Sequence, residues 1–227
     1  MDGPLHNKLL ALLPLEDLNS ITGASSLATF AQGDVVQKEG RSVTTIYFPL
    51  SGMFSLLVVL KGGRTVETCV VGREGMVGAR AGLGQQTSRV RTVAQLPVHA
   101  LAIPADHFRA LVAASTVMSE LCLRNTDVLL DQTRITAACN SFHGVEARFC
   151  RWLLHTADRA ESNQFALKQE LLSEMLGVRR TYVTNVASGL QKRGIISYSR
   201  GNMQLLNRRA LQSLSCECYR LLKRNRS

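Results

Sequence analysis

Glycine is spread so unevenly along this chain that it dictates where strands and helices can lie. Ten of the 17 glycines fall between Gly33 and Gly84, and none occurs between Gly84 and Gly144. Within the first interval they alternate with Val35-Val36, Ile46-Tyr47-Phe48, Phe54 to Leu60 and Thr65 to Val71. These β-branched and aromatic runs suit strands separated by turns. Gly62-Gly63 is placed to close a hairpin, and Val90 to Ala94 and Val98 to Ile103 add two more strands. Ahead of them Leu9, Leu10, Leu12 and Leu13 precede Pro14, which interrupts a first helix. The fold class expected is therefore α+β. Residues 1–112 are expected to form an antiparallel β barrel or jelly roll with a small N-terminal helical cap.

After Pro104 the residues turn to Ala, Leu, Arg and Asp, and a short helix followed by a long one is expected. Along the long helix, spanning 113–139, Met118, Leu121, Asn125, Val128, Gln132, Ile135 and Cys139 alternate three- and four-residue steps. That is the spacing of a coiled-coil seam, with Asn125 and Gln132 as polar interruptions able to set register, and it predicts a dimerisation helix. The alternative is that the same stripe packs on its own barrel.

Residues 140–227 carry a second pattern. Val145 to His155, with Phe149, Trp152 and Leu153 at helical offsets, starts a core in which Trp152 is a packing residue. Leu171, Leu172, Met175 and Leu176 form a buried helix stripe ended by Gly177, where a positive φ permits a sharp turn. Val183, Val186, Ala187 and Leu190 then line one face of a following helix, leaving Arg180, Thr181, Thr184, Asn185 and Ser188 on the other. Those donors and acceptors suit base edges. Ile195 to Tyr198 and Met203 to Leu206 flank Ser199-Arg200-Gly201-Asn202, a hairpin with a cation at its tip. The ordered set predicts a winged helix-turn-helix and duplex DNA as partner.

Charge agrees with that partner. The formal net charge is +10, yet residues 1–139 hold 12 Lys and Arg against 11 Asp and Glu, while residues 140–227 hold 15 against 6. Cations gathered on the helix-turn-helix side imply phosphate contacts whose strength falls as salt rises. A solvated basic face or a membrane-surface patch is the competing reading. No run of about 18 apolar residues occurs, and Asp2 and Lys8 do not lead into a long apolar stretch, so a soluble, unexported, cytoplasmic protein with no membrane partner is expected. Cys69, Cys122, Cys139, Cys150, Cys216 and Cys218 are dispersed, as reduced thiols would be. Cys216 and Cys218 have no matching Cys or His pair close by in sequence, so no metal is expected. No zinc-protease helix motif, nucleophile elbow or phosphate loop is present, and His143 and His155 beside Trp152 lack a nucleophile setting, so no enzyme is expected.

The order of parts resembles the Crp/Fnr family of bacterial transcription regulators over nearly the whole chain. Gln169-Glu170-Leu171-Leu172-Ser173-Glu174-Met175-Leu176-Gly177-Val178-Arg179-Arg180-Thr181, with Val183 and the wing, is similar to the family's helix-turn-helix. The resemblance implies a homodimer that reads a near-palindromic site and has RNA polymerase as a partner. Carried over by position, Arg180, Thr181 and Asn185 read bases with Thr184 beside them, while Lys168, Arg179, Tyr182 and Arg200 contact phosphates. Thr181 and Asn185 stand where many members have Glu and Arg, so the family's best-known half-site does not transfer. In the barrel, the resemblance places an effector pocket near Glu74, Met76, Ser88 and Arg89. Glu74 comes several residues early, and Ser88 occupies the place of the phosphate-binding Arg, with Arg89 one position late and turned to the other face by strand alternation. The usual cyclic-nucleotide pocket is therefore not expected to work, and the effector is unidentified. A cyclic-nucleotide module acting on a protein partner is the rival function. An iron-sulfur cluster of the family's N-terminal type lacks its cysteines, and His99 and His107 are isolated, more in keeping with structural residues than haem ligands.

Overall fold

A computed structural model describes residues 3–224. Met1, Asp2 and 225–227, the extreme ends of the two outer domains expected from sequence, lie outside the described residues. The chain forms two compact units: 1–56 together with 69–131, and 132–227 together with 57–68.

In the first unit Pro14 precedes α1 (Leu15–Gly23), its fixed φ suited to a helix start. The strands are β1 (Ser26–Phe30), β2 (Val35–Gln37), β3 (Thr45–Ser51), β4 (Phe54–Val59), β5 (Thr65–Val71), β6 (Arg91–Ala94) and β7 (Val98–Pro104), the parts of β4 and β5 within 57–68 belonging to the second unit. They form two sheets, ordered β1-β7-β3 and β2-β6-β4-β5, in a jelly-roll-like arrangement rather than a closed barrel. β7 is the centre of the first sheet, with Ser26 opposite Ala102 on one side and Ile46 opposite Ile103 on the other, both antiparallel. Phe30, Tyr47 and Phe54 meet edge-on or tilted, with ring centroids 5.3–6.1 Å apart, as the aromatic quadrupole favours. The buried N-terminal Asn7 ties the helical cap to the sheets. Its Nδ2 donates to Pro49 O and Gly75 O, and its Oδ1 accepts from the Leu9 and Leu10 N–H groups.

α2 (Ala105–Ala114) and α3 (Thr116–Phe142) follow as expected. Part of the face expected as a seam is buried within the chain itself. Met118, Leu121 and Cys122 belong to the first unit's own core with Phe48, Ile103 and Phe108. Asn125 is spent inside the chain as well: its Oδ1 accepts from Met76 N–H at 3.0 Å and its Nδ2 donates to Met76 O at 3.2 Å. Gln132 and Cys139 are buried, Val128 and Ile135 half-buried, and Ile135 packs on Cys139. Most of the stripe is thus covered by its own chain, with Val128 and Ile135 left partly accessible. The opposite side of α3 exposes Leu123 and Leu130, 58% and 45% accessible and seven residues apart.

The second unit is built on α4 (Val145–Ala160), ten of whose residues are buried. Trp152 is a core residue, 2% exposed, whose Nε1–H donates to Glu67 Oε1. The sheet is three-stranded, ordered β8-β10-β9, with β8 (Gln164–Ala166), β9 (Ile196–Ser199) and β10 (Asn202–Leu205). The expected hairpin is thus present with its strands shifted by one residue at β9 and β10, and β8 joins it as an unexpected third strand. α5 (Gln169–Leu176) and α6 (Arg180–Lys192) form the helix-turn-helix, and α7 (Arg208–Leu214) and α8 (Cys218–Arg224) complete the unit. α7 is capped by Asn207, whose Oδ1 accepts from the Ala210 N–H.

Candidate nucleic-acid interface

The turn between α5 and α6 has the backbone its sequence requires. Gly177 sits at φ 63°, in the left-handed region, and the Val178 N–H donates to Ser173 O at 3.1 Å, closing the helix end. α6 then divides sharply by burial. Val183, Ala187 and Leu190 are buried, whereas Arg180, Thr181, Thr184 and Asn185 are all exposed and Ser188 is half-buried. The residues expected to read bases therefore share one solvent-facing side of a helix whose other side is locked into the core.

The wing turn is Arg200-Gly201, with φ of 49° and 78°. Two successive positive φ values match the type I′ turn that suits the twist of a tight hairpin. The Leu167 N–H donates to Gly201 O at 2.7 Å, and Tyr198 Oη donates to Leu167 O at 2.8 Å, so the wing is pinned to the chain just ahead of Lys168 and α5. Burial raises the Tyr198 phenol above its ordinary range.

Lys168, Gln169, Glu170, Arg180, Tyr198, Arg200 and Gly201 line one open groove of about 410 Å³. It brings together Arg180, expected to read bases, with Lys168 and Arg200, expected to hold phosphates. Arg179 and Tyr182 are exposed on the start of α6 and do not line the groove. Gln169 and Glu170 join the site although neither residue is among those expected from sequence. Arg180 Nη1 donates to Glu170 Oε1 at 2.9 Å, its Nε reaches Gln169 Oε1 at 3.5 Å, and Thr184 Oγ1 donates to the same Gln169 oxygen at 3.4 Å. The signal for this pairing is the polar start of α5 directly before its apolar stripe.

The expected effector residues do not converge in the same way. Met76 is fully buried in the apolar core. Ser88 is buried and its hydroxyl exchanges hydrogen bonds with the Val90 backbone, while Arg89 is exposed and Glu74 half-buried. Arg89 and Val90 lie in a bend rather than a strand, so the opposite burial of Ser88 and Arg89 arises from the bend and not from strand alternation. A separate cleft is lined by Val35 to Lys38, Arg41, Ser42, Thr44, Thr45 and Tyr47, and includes none of the four. His99 Nδ1 lies 3.2 Å from Thr29 Oγ1, and His107 is exposed. Metal-type donors do converge elsewhere: Cys139 and His143 come beside Cys216 and Cys218, so the pair that lacks neighbours in sequence has them in space. The Cys-x-x-x-His spacing at the end of α3 is the signal for it.

Among the described residues, no helix is long and apolar enough to cross a membrane. Residues 27–115 match the family model of the cyclic nucleotide-binding domain, and residues 147–214 match that of the Crp-like helix-turn-helix domain. No curated protein matches the chain. Among solved structures, a Crp/Fnr-family regulator from Eubacterium rectale superposes with a TM-score of 0.73 at 16% identity, over 93% of this chain and 97% of the other. FixK2 from Bradyrhizobium japonicum gives 0.72 at 15% identity, over 85% and 98%. The c-di-GMP-responsive global regulator CLP of Xanthomonas campestris gives 0.68 at 17% identity, over 85% and 99%. These likenesses speak for the fold, and the two matched models in this order supply the rest: the chain belongs to the Crp/Fnr family of transcriptional regulators.

Proposed function

We propose that this regulator binds DNA as a homodimer, placing α6 of each subunit in a major groove and reading a near-palindromic site. The observation that carries the reading is the division of α6. Arg180, Thr181, Thr184 and Asn185 face solvent together, and Arg180 shares a groove with Lys168 and Arg200. Arg can pair bidentately with guanine and Asn with adenine, and a Thr methyl can touch thymine. Lys168, Arg179, Tyr182 and Arg200 hold phosphates and set the docking angle. Two recognition helices on one face of DNA require half-sites about 34 Å apart.

The dimer contact on this reading is the exposed side of α3 carrying Leu123 and Leu130, which supplies apolar residues at a heptad interval. Partners are duplex DNA, a second copy of the chain and RNA polymerase, all in the cytoplasm. The first unit senses a signal by a route other than the usual nucleotide-phosphate pair, because Ser88 and Arg89 do not present a guanidinium inside a pocket. Selection of bound sequences from a random DNA pool tests the proposal. Enrichment of a two-fold symmetric motif is expected. Binding that selects no sequence, or that ignores salt, would overturn it.

A further inference from the structure

The last turn of α3 and the start of α8 bring four soft metal donors together within the second unit. Cys139 and His143 are four residues apart on one helix face, and the His143 N–H still donates to Cys139 O at 3.1 Å, so the helical register continues past Phe142. Cys216 and Cys218 flank Glu217 at the start of the C-terminal helix. One donor atom from each residue lies within 4.8 Å of all the others. Cys139 Sγ is 3.5 Å from Cys216 Sγ, and Cys218 Sγ is 3.7 Å from His143 Nδ1. In a tetrahedral zinc site with Zn–S near 2.3 Å and Zn–N near 2.0 Å, two sulfurs sit about 3.8 Å apart and a sulfur and a nitrogen about 3.5 Å. The two short edges lie within about 0.3 Å of these lengths.

The surroundings suit a bound cation. His143 Nε2 lies 3.2 Å from Glu217 Oε2, so its N–H belongs on that nitrogen and the Nδ1 lone pair faces the sulfurs. This is the carboxylate support that metal-binding histidines commonly have. All three cysteines are buried and free of disulfides, with Ile135 and Ala147 packed on them. Buried Arg151 lies near the cluster. Three thiolates, a neutral imidazole and a divalent ion carry one net negative charge, which Arg151 faces.

We propose that Cys139, His143, Cys216 and Cys218 form a closed structural site for a zinc-class divalent ion, tying the end of α3 to α8. Loading converts the three thiols to thiolates, releases their protons to solvent and leaves His143 neutral, donating to Glu217. With four protein ligands no position remains open for substrate, so the ion holds structure and does no chemistry. The proposal does not depend on the DNA-binding reading.

The test uses the full chain, reduced, stripped of metal and kept free of oxygen, then titrated with Co2+. Uptake of about one equivalent per chain, with sulfur-to-cobalt charge transfer and the visible absorption of a tetrahedral site, is expected, and Zn2+ should abolish both. Cys139→Ser and Cys216→Ser should lose the spectrum, while Cys122→Ser and Cys150→Ser keep it. Glu217→Gln should retain the spectrum with affinity reduced about 10- to 100-fold. A reduced wild-type chain that shows no tetrahedral cobalt spectrum overturns the proposal, whatever the variants do. So does a spectrum that survives in the Cys139→Ser, Cys216→Ser double variant, or a purified protein carrying labile sulfide with iron.

Discussion

Removing the Arg180 guanidinium should weaken binding to the selected half-site about 5- to 150-fold, the equivalent of about 1–3 kcal/mol for a bidentate base contact. Two opposing quantities set that range. In the free protein the guanidinium is held by Glu170 at 2.9 Å, so DNA binding must release or share it. The two side chains are 59% and 73% exposed, which limits such a pair to about 0–1 kcal/mol. The base contact therefore outweighs the ion pair, and Arg180→Ala is a net loss. The same arithmetic predicts the reverse effect at its partner. Glu170→Gln frees Arg180 and removes an anion from a groove that faces phosphates, so binding should tighten by up to about fivefold, or 1 kcal/mol. In the double variant the Arg180 effect should persist, with a coupling no larger than the ion pair itself. Fluorescence anisotropy on the selected duplex and on a random duplex, across a salt series, reads all three variants. Equal weakening of both duplexes by Arg180→Ala, accompanied by a shallower salt dependence, would make Arg180 a phosphate ligand and refute the base-reading role.

Lys168→Ala and Arg200→Ala should weaken selected and random duplexes alike, each flattening the slope of log affinity against log salt by about one unit. Leu123→Glu combined with Leu130→Glu should give a monomer by light scattering that keeps its fold by circular dichroism and binds the palindromic site poorly; an intact dimer would remove that face of α3 from the interface. Asn125→Leu should destabilise the first unit, because the buried Met76 N–H and C=O are left without their amide partner at about 1–3 kcal/mol each. Urea unfolding followed by a probe in that unit would show a lowered midpoint; an unchanged one would mean that the Asn125 pair contributes nothing.

Local patterns were legible where a residue's neighbours in sequence are also its neighbours in space. On α6 the three- and four-residue spacing of Val183, Ala187 and Leu190 is enough to assign the buried side, so the exposure of Arg180, Thr181, Thr184 and Asn185 follows from helix geometry alone. The same holds for Gly177, whose φ of 63° is the conformation a turn at that point demands. The sequence pattern placed β2 to β7 but not β1, Ser26–Phe30, which falls within the N-terminal region expected to be helical. It left open whether they close, because closure depends on pairings between distant strands, as in β1 with β7. β8 escaped because three residues, Gln164–Ala166, are too few to show an alternation.

What was not legible is which surface covers a buried face. The stripe from Met118 to Cys139 has the period of a helix with one hidden side, and a coiled-coil partner and the chain's own core produce the same period. Asn125 illustrates the ambiguity, since a polar residue in an apolar stripe fits either a register device between two helices or an amide paired to a nearby backbone, and here it pairs with Met76. Cys139 ends the same stripe for a third reason. Its partner Cys216 lies 77 residues away, so no local period records the pairing. Asn125 has both its amide oxygen and its amide nitrogen bonded to Met76 in the same chain, which accounts for its place in the stripe without a second helix. In the proposed dimer, pairing then falls to the residues around Leu123 and Leu130, and a substitution at Asn125 would report on the stability of the first unit rather than on pairing.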